Sequence, residues 1–132
     1  MLTIYTAPSC TSCRKALQWL DEHGIPYNER NLSQGKLSMD ELRQILMMTD
    51  EGTADIISTR SNAYRNLKID INELSLSELL RLLHMNMSLL KRPILIDHKR
   101  IQVGYNEDDI RRFVPREIRE LEMIDARMRA GI

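Results

Sequence analysis

The chain has 132 residues, 42% of them hydrophobic, and its 19 Lys and Arg balance 19 Asp and Glu. That length suits one domain around one core. Zero net charge argues against a protein that grips nucleic acid by its own electrostatics, so contact with DNA needs a local patch or a carrier. No apolar run approaches the roughly 20 residues that span a bilayer. Met1-Leu2-Thr3-Ile4-Tyr5 lacks the basic region and long apolar core of a secretory signal, which makes the cytoplasm the expected location.

Leu2-Thr3-Ile4-Tyr5 alternates with period two, as a short strand does. A loop, Thr6-Ala7-Pro8-Ser9, leads to Cys10-Thr11-Ser12-Cys13, which holds both cysteines of the chain. Behind them Ala16, Leu17 and Leu20 recur at helical spacing. A cysteine at a helix N-terminus meets unpaired N–H groups and the positive end of the dipole, both of which favour a thiolate. A partner one turn along is close enough for a disulfide, so the pair reads as a redox dithiol. Cysteines that only fill space, half of a zinc site and a structural staple are the other readings. His23, His84 and His98 form no second paired motif to complete four zinc ligands. A staple closing so small a loop would restrain little of the unfolded chain.

Gly24-Ile25-Pro26 stops the helix, and Tyr27–Leu32 is expected as a second strand. Ser38-Met39-Asp40-Glu41 is a capping box opening a helix with Leu42, Ile45 and Leu46 inward. It should end near Thr49, where Asp50-Glu51-Gly52-Thr53 is turn chemistry and Gly52 either takes a positive φ or is an ordinary helix stop. Ile56–Arg60 and Ala63–Lys68 read as a short helical region carrying Arg60, Arg65 and Lys68. Ser75-Leu76-Ser77-Glu78 is a second capping box before the buried run Leu79–Leu83. Ile94-Leu95-Ile96 is a buried strand, with Pro93 at its start. His98-Lys99 turns into Arg100–Gly104, making a hairpin. A helix begins at Asn106–Asp109 with Ile110 and Phe113 inward. A last helix, over about 116–129 after Pro115, carries a thin stripe of Ile118, Leu121, Ile124 or Asp125, and Met128, and should dock loosely or fray.

This order predicts an α/β fold: a thioredoxin-like mixed sheet with an inserted helical segment. The thioredoxin-like parts cover about 1–34 and 90–114, and the helical insert about 36–89. A Cys-x-x-Cys at the first helix N-terminus fits that frame.

Tyr5–Ala16, Gly52, Ile56–Arg60, Arg92-Pro93-Ile94 and Gln102–Asp108 together resemble the Spx family of transcriptional regulators of low-GC Gram-positive bacteria, itself related to the arsenate reductases (ArsC). The resemblance covers nearly the whole chain. It implies a single ArsC-like domain, no enzyme activity, no cofactor and no metal. It implies a monomer that binds the C-terminal domain of the RNA polymerase α subunit, contacts promoter DNA only together with polymerase, and is degraded by the ClpXP protease with an adaptor. Cys10 and Cys13 match the family's redox switch, Arg92 an arginine that lies near the pair and holds an anion, and Gly52 the contact with the α subunit. Arg60, Arg65, Lys68 and Lys91 are candidates for a basic patch, each by default a solvated charge. Family members often carry a basic residue just before the glycine turn. Ile45–Thr49 has none, so a more apolar contact is expected there. The rival reading is an arsenate reductase with Cys10 as nucleophile and Arg60 and Arg92 on the oxyanion. Against it, Tyr5-Thr6-Ala7-Pro8 lacks the asparagine of the reductases, and Gly104–Glu107 lacks their third arginine.

Overall fold

The computed structural model of the chain describes residues 2–49, 52–59, 61–68, 70–114, 124 and 127–131. Four strands, β1 (Leu2–Thr6), β2 (Tyr27–Asn31), β3 (Ile94–Ile96) and β4 (Ile101–Val103), form one sheet in the order β2-β1-β3-β4. β2 runs parallel to β1, with Leu2 opposite Tyr27 and Thr6 opposite Asn31. β3 is antiparallel to both β1 and β4, pairing Ile4 with Leu95 and Leu95 with Gln102. Parallel pairing of β1 and β2 requires a crossover. Helix α1 (Thr11–Glu22) supplies it, ending at His23 before Gly24, whose φ is +63°.

The central strands are buried along almost their whole length because both sheet faces are covered. Ile4 and Leu95 pack with Ala16, Trp19 and Leu20 of α1 and with Ile110 and Phe113. Tyr5, Ile94 and Ile96 face the other way, into a core built from the middle of the chain. That middle part comprises α2 (Met39–Met48), the single turns α3 (Thr53–Ile56) and α4 (Asn62–Arg65), and α5 (Leu76–Met85). Leu42 and Ile45 of α2 meet Leu79, Leu80 and Leu83 of α5. Every one of these five is at most 6% exposed.

The capping box at α2 is complete: Glu41 N–H donates to Ser38 Oγ at 3.1 Å, and Ser38 N–H to Glu41 Oε1 at 3.1 Å. The second box is half made. Glu78 N–H donates to Ser75 Oγ, but the Glu78 carboxylate accepts a hydrogen bond from the Ser75 hydroxyl rather than from its backbone N–H.

Two local expectations change, and a third lies mostly outside the described residues. The helix expected across Ile56–Arg60 stops at Ile56. Ile57 forms a β-bridge with Leu90, Ser58 N–H donates to Leu89 O, and Lys91 N–H donates to Ile56 O, both at 2.7 Å. Two adjacent β-branched residues favour that extended path. The helix expected from Asn106 begins at Asp109 and is a 3₁₀ turn to Phe113. Asn106 Oδ1 first accepts the N–H groups of Asp108 and Asp109, an Asx turn that delays it. Of the last helix, Pro115, Ile118, Leu121 and Asp125 lie outside the described residues. Ile124 and 127–129 are helical, and Ile124 and Met128 are 53% and 73% exposed.

Candidate functional site

The site begins with the loop between β1 and α1. Ser9 has φ +57°, a left-handed conformation uncommon for a residue with a Cβ. The chain turns there, so that Cys10 becomes the N-cap of α1 with extended φ and ψ. A helix cap normally offers an oxygen to the free N–H groups of the first turn. Here the acceptor is sulfur: Cys13 N–H donates to Cys10 Sγ at 3.2 Å. Both cysteines are free thiols.

The two thiols differ in environment. Cys10 is half-buried and opens onto a cleft, whereas Cys13 is 2% exposed and packed under α1. Burial, then the hydrogen bond to the Cys10 side chain, pushes the Cys13 thiol up to about 12, against the pull of an Ala7 backbone hydrogen bond and of the Arg92 charge. Cys13 therefore remains protonated at neutral pH, and Cys10 is the sulfur that solvent reaches.

The cleft has a volume of about 350 Å³. Pro8, Ser9 and Cys10 form one wall, and Ser58, Leu90, Lys91, Arg92 and Gly104 the other. The second wall is held in place by the hydrogen bonds between Ile56–Ser58 and Leu89–Lys91. Arg92 precedes Pro93 through a cis peptide bond, and its charge acts on Cys13. Lys91 and Arg92 are both exposed.

Of the candidate residues, the structure brings together Cys10, Cys13, Arg92 and Lys91. Arg65 and Lys68 are exposed on and after α4 and do not line this cleft. Arg60 lies outside the described residues. Gly52 is at the turn between α2 and α3 with φ +67°, and its carbonyl accepts Asp55 N–H at 3.2 Å. A Cβ built there meets nothing within 4 Å, so the backbone angle, not crowding, favours glycine. A second cleft, about 340 Å³, begins beside that turn at Met48, Thr49 and Asp55 and shares Lys91 with the first. Met47, near the end of α2, is 79% exposed. Among the described residues no cluster of His, Cys, Asp and Glu is placed to hold a metal. The His23 ring stacks on Trp19, and the His84 ring meets Leu37 O at 2.7 Å.

Two features carried no signal in the sequence. One is the Ser9 conformation. The other is the contact of Tyr5 with the insert: its hydroxyl donates to Glu41 Oε2 at 3.0 Å, and Arg30 Nη1 lies 3.4 Å from the same oxygen. Burial, then this hydrogen bond, pushes Tyr5 up to about 12. Tyr5 and Cys13 both hold their protons more tightly in the folded chain than their ordinary values of 10.0 and 9.0. The stabilisation this provides is complete below those values and is lost as pH rises through them toward 12. Thermal melts should therefore show Tm falling above pH 9, less steeply in Cys13→Ala; an unchanged slope in that variant contradicts the assignment.

A capping thiol in an open cleft, a buried thiol one turn on, and a four-stranded mixed sheet interrupted by helices define a thioredoxin-like dithiol protein. Comparison with known proteins places it more narrowly. The sequence model of the ArsC family matches residues 5–113. The global transcriptional regulator Spx of Enterococcus faecalis is 56% identical over 132 residues, covering both chains completely. Its counterpart in Staphylococcus aureus is 55% identical over 126 residues, 96% of each chain. A possible arsenate reductase from Streptococcus mutans superposes with TM-score 0.72 at 30% identity, over 83% of this chain and 97% of that one. A solution structure of a protein from S. aureus gives TM-score 0.73 at 31% identity, over 85% and 97%. The chain belongs to the ArsC family, on the branch of the Spx global transcriptional regulators.

Proposed function

We propose that this chain is a thiol-stress sensor that regulates transcription through the C-terminal domain of the RNA polymerase α subunit. The observation that carries the reading is the asymmetric pair: Cys10, half-buried, capping α1 at 3.2 Å from Cys13 N–H, and Cys13 enclosed and protonated. A peroxide oxidises the Cys10 thiol to a sulfenic acid and is itself reduced to water or an alcohol. Cys13 sulfur then attacks Cys10 sulfur, the Cys10 S–O bond breaks, and water leaves with the Cys13 proton. The disulfide takes the Cys10 sulfur from its place as the cap of α1.

The polymerase docks at the Gly52 turn in this reading. Met47, uncharged and exposed beside it, gives that face an apolar character. Promoter DNA is met only in the polymerase complex, since 19 cationic and 19 anionic residues leave no net attraction. Lys91 and Arg92 line the cleft onto which the switch opens, and Arg65 and Lys68 are exposed outside it. The protein acts as a cytoplasmic monomer. The exposed C-terminal stretch Arg129-Ala130-Gly131 is accessible for turnover by ClpXP and an adaptor. Among the described residues no helix is long and apolar enough to cross a membrane.

A thiol-stress promoter transcribed with purified polymerase tests the reading. Oxidant should activate it with the wild-type protein and leave it unchanged with Cys10→Ala; equal responses contradict the switch. The cleft that joins Cys10 to Arg92 also favours a second reading, an arsenate reductase. Turnover of arsenate by the purified protein with a thiol system would establish that activity, and none is expected.

A further inference from the structure

Tyr5 is buried in β1, just ahead of the loop that carries the dithiol. It stands directly opposite Arg30 of β2 in the parallel register, so both side chains leave the sheet on the same face. They meet at one carboxylate oxygen. The Tyr5 hydroxyl donates to Glu41 Oε2 at 3.0 Å, and Arg30 Nη1 lies 3.4 Å from that atom. The other oxygen, Oε1, accepts Ser38 N–H and closes the capping box of α2. One side chain therefore both starts α2 and ties it to β1. Burial opposes the charge on Glu41, yet Ser38 N–H, the Tyr5 hydroxyl and Arg30 together hold its carboxyl below the ordinary value, so it stays an acceptor at neutral pH. Each end of this tie leads to a functional part. Two residues beyond Tyr5, the Ala7 backbone hydrogen-bonds to the Cys13 sulfur, and Ser9 and Cys10 follow. Beyond Glu41, α2 runs to Met48 and the Gly52 turn. Its ten residues make a rod about 15 Å long, which carries a change at its first turn to its last.

We infer that the Tyr5–Glu41–Arg30 cluster is the positioning link that transmits the state of the Cys10–Cys13 pair to the turn at Gly52. This rests on the reading of the pair as a redox switch and of the Gly52 turn as the polymerase contact, and adds the route between them. A disulfide draws the two sulfurs to about 2.05 Å. It takes Cys10 from its cap on α1 and moves the Cys13 sulfur relative to the Ala7 backbone. The loop from Thr6 to Ser9 resettles, the Tyr5 hydroxyl shifts against Glu41, and the first turn of α2 shifts with it. The Gly52 turn at the far end of the rod is re-aimed. Tyr5 is a positioning residue in this scheme, since it acts through Glu41.

The test uses the full chain labelled with nitrogen-15, reduced and then oxidised with peroxide, and follows its backbone amide signals by NMR. In the wild type, oxidation should shift the signals of the cysteine loop and the start of α1, and also those of α2 and Gly52. Tyr5→Phe keeps the buried ring and removes one oxygen. There the shifts around the cysteines should remain and those of α2 and Gly52 should vanish. Glu41→Gln keeps an acceptor for the Tyr5 hydroxyl and should respond as the wild type does, whereas Glu41→Ala should behave like Tyr5→Phe. A merely structural role for Tyr5 predicts no such pattern. The ratio of affinities of the two redox forms for the polymerase α C-terminal domain should be about 5- to 150-fold in the wild type, the usual range for coupled sites, and collapse toward one in Tyr5→Phe. Signals of α2 that ignore oxidation in the wild type, or that respond equally in Tyr5→Phe, overturn the inference while leaving the switch intact. Signals that respond through Tyr5 while the affinity ratio stays at one uphold the link and overturn the docking reading at Gly52. Absence of a Cys10–Cys13 disulfide after peroxide overturns the switch reading and the link with it.

Discussion

Closure of the Cys10–Cys13 disulfide after oxidation of Cys10 is expected to run about a hundredfold faster at pH 9 than at pH 7. The nucleophile of that step is the Cys13 thiolate, and below a thiol's pKa the thiolate fraction rises about tenfold per pH unit. Burial holds the Cys13 proton, with its value pushed well above 9.0, so the whole interval lies on the rising limb. The direction follows from the sign of the shift: raising a thiol's pKa makes it a poorer nucleophile at neutral pH and leaves more for alkali to recover. Rapid mixing with peroxide followed by acid quench and mass analysis gives the rate, as appearance of a species two mass units lighter. Cys10→Ala should form none at any pH. A closure rate flat from pH 7 to 9 would show that the Cys13 proton is not the barrier.

The second large effect concerns the insert. Leu80→Ala should destabilise the chain by about 2–5 kcal/mol, lowering Tm by roughly 5–20 °C for a domain of this size. Leu80 is 1% exposed in α5 and packs in the core that joins α2 and α5 to the sheet. Polar caps hold the start of α2, but its attachment to the sheet rests on Leu42, Ile45 and the leucines of α5. Leu76→Ala, on the same helix but 58% exposed, should change stability by less than about 0.5 kcal/mol. Similar losses in the two variants would contradict the packing described.

The legible parts of this fold are those where one residue type has one local use. The apolar Ile94-Leu95-Ile96 run is a strand buried on both faces, and Ser38 with Glu41 makes the box that the pair announces. Gly52 takes the positive φ that was one of its two readings. The mixed sheet follows from one parallel pair that needs a helical crossover and one hairpin that does not. Less legible were elements decided by tertiary contact. Ile57 leaves the helix because Leu90 offers it a strand partner, and Ser9 adopts a conformation its own side chain disfavours. Tyr5 looked like one more alternating strand residue, yet it ties β1 to α2 through Glu41.

At the site, the spacing of Cys10 and Cys13 revealed the dithiol but not its asymmetry. That depends on depth: one sulfur faces the cleft and the other faces the core. The neighbours Lys91 and Arg92 read as ordinary surface charge. Their place beside Cys10 is set by long-range hydrogen bonds to Ile56 and from Ser58 to Leu89, which no local pattern encodes. Arg65 and Lys68 shared the same sequence signal and lie elsewhere.

The most direct test of the redox account is a pair of affinities for the polymerase α C-terminal domain, one of the reduced and one of the peroxide-oxidised protein, measured by titration calorimetry at one salt concentration. The account predicts two different dissociation constants for the wild-type chain and a single one, indifferent to oxidant, for Cys10→Ala. Equal affinities of the reduced and disulfide forms would contradict it.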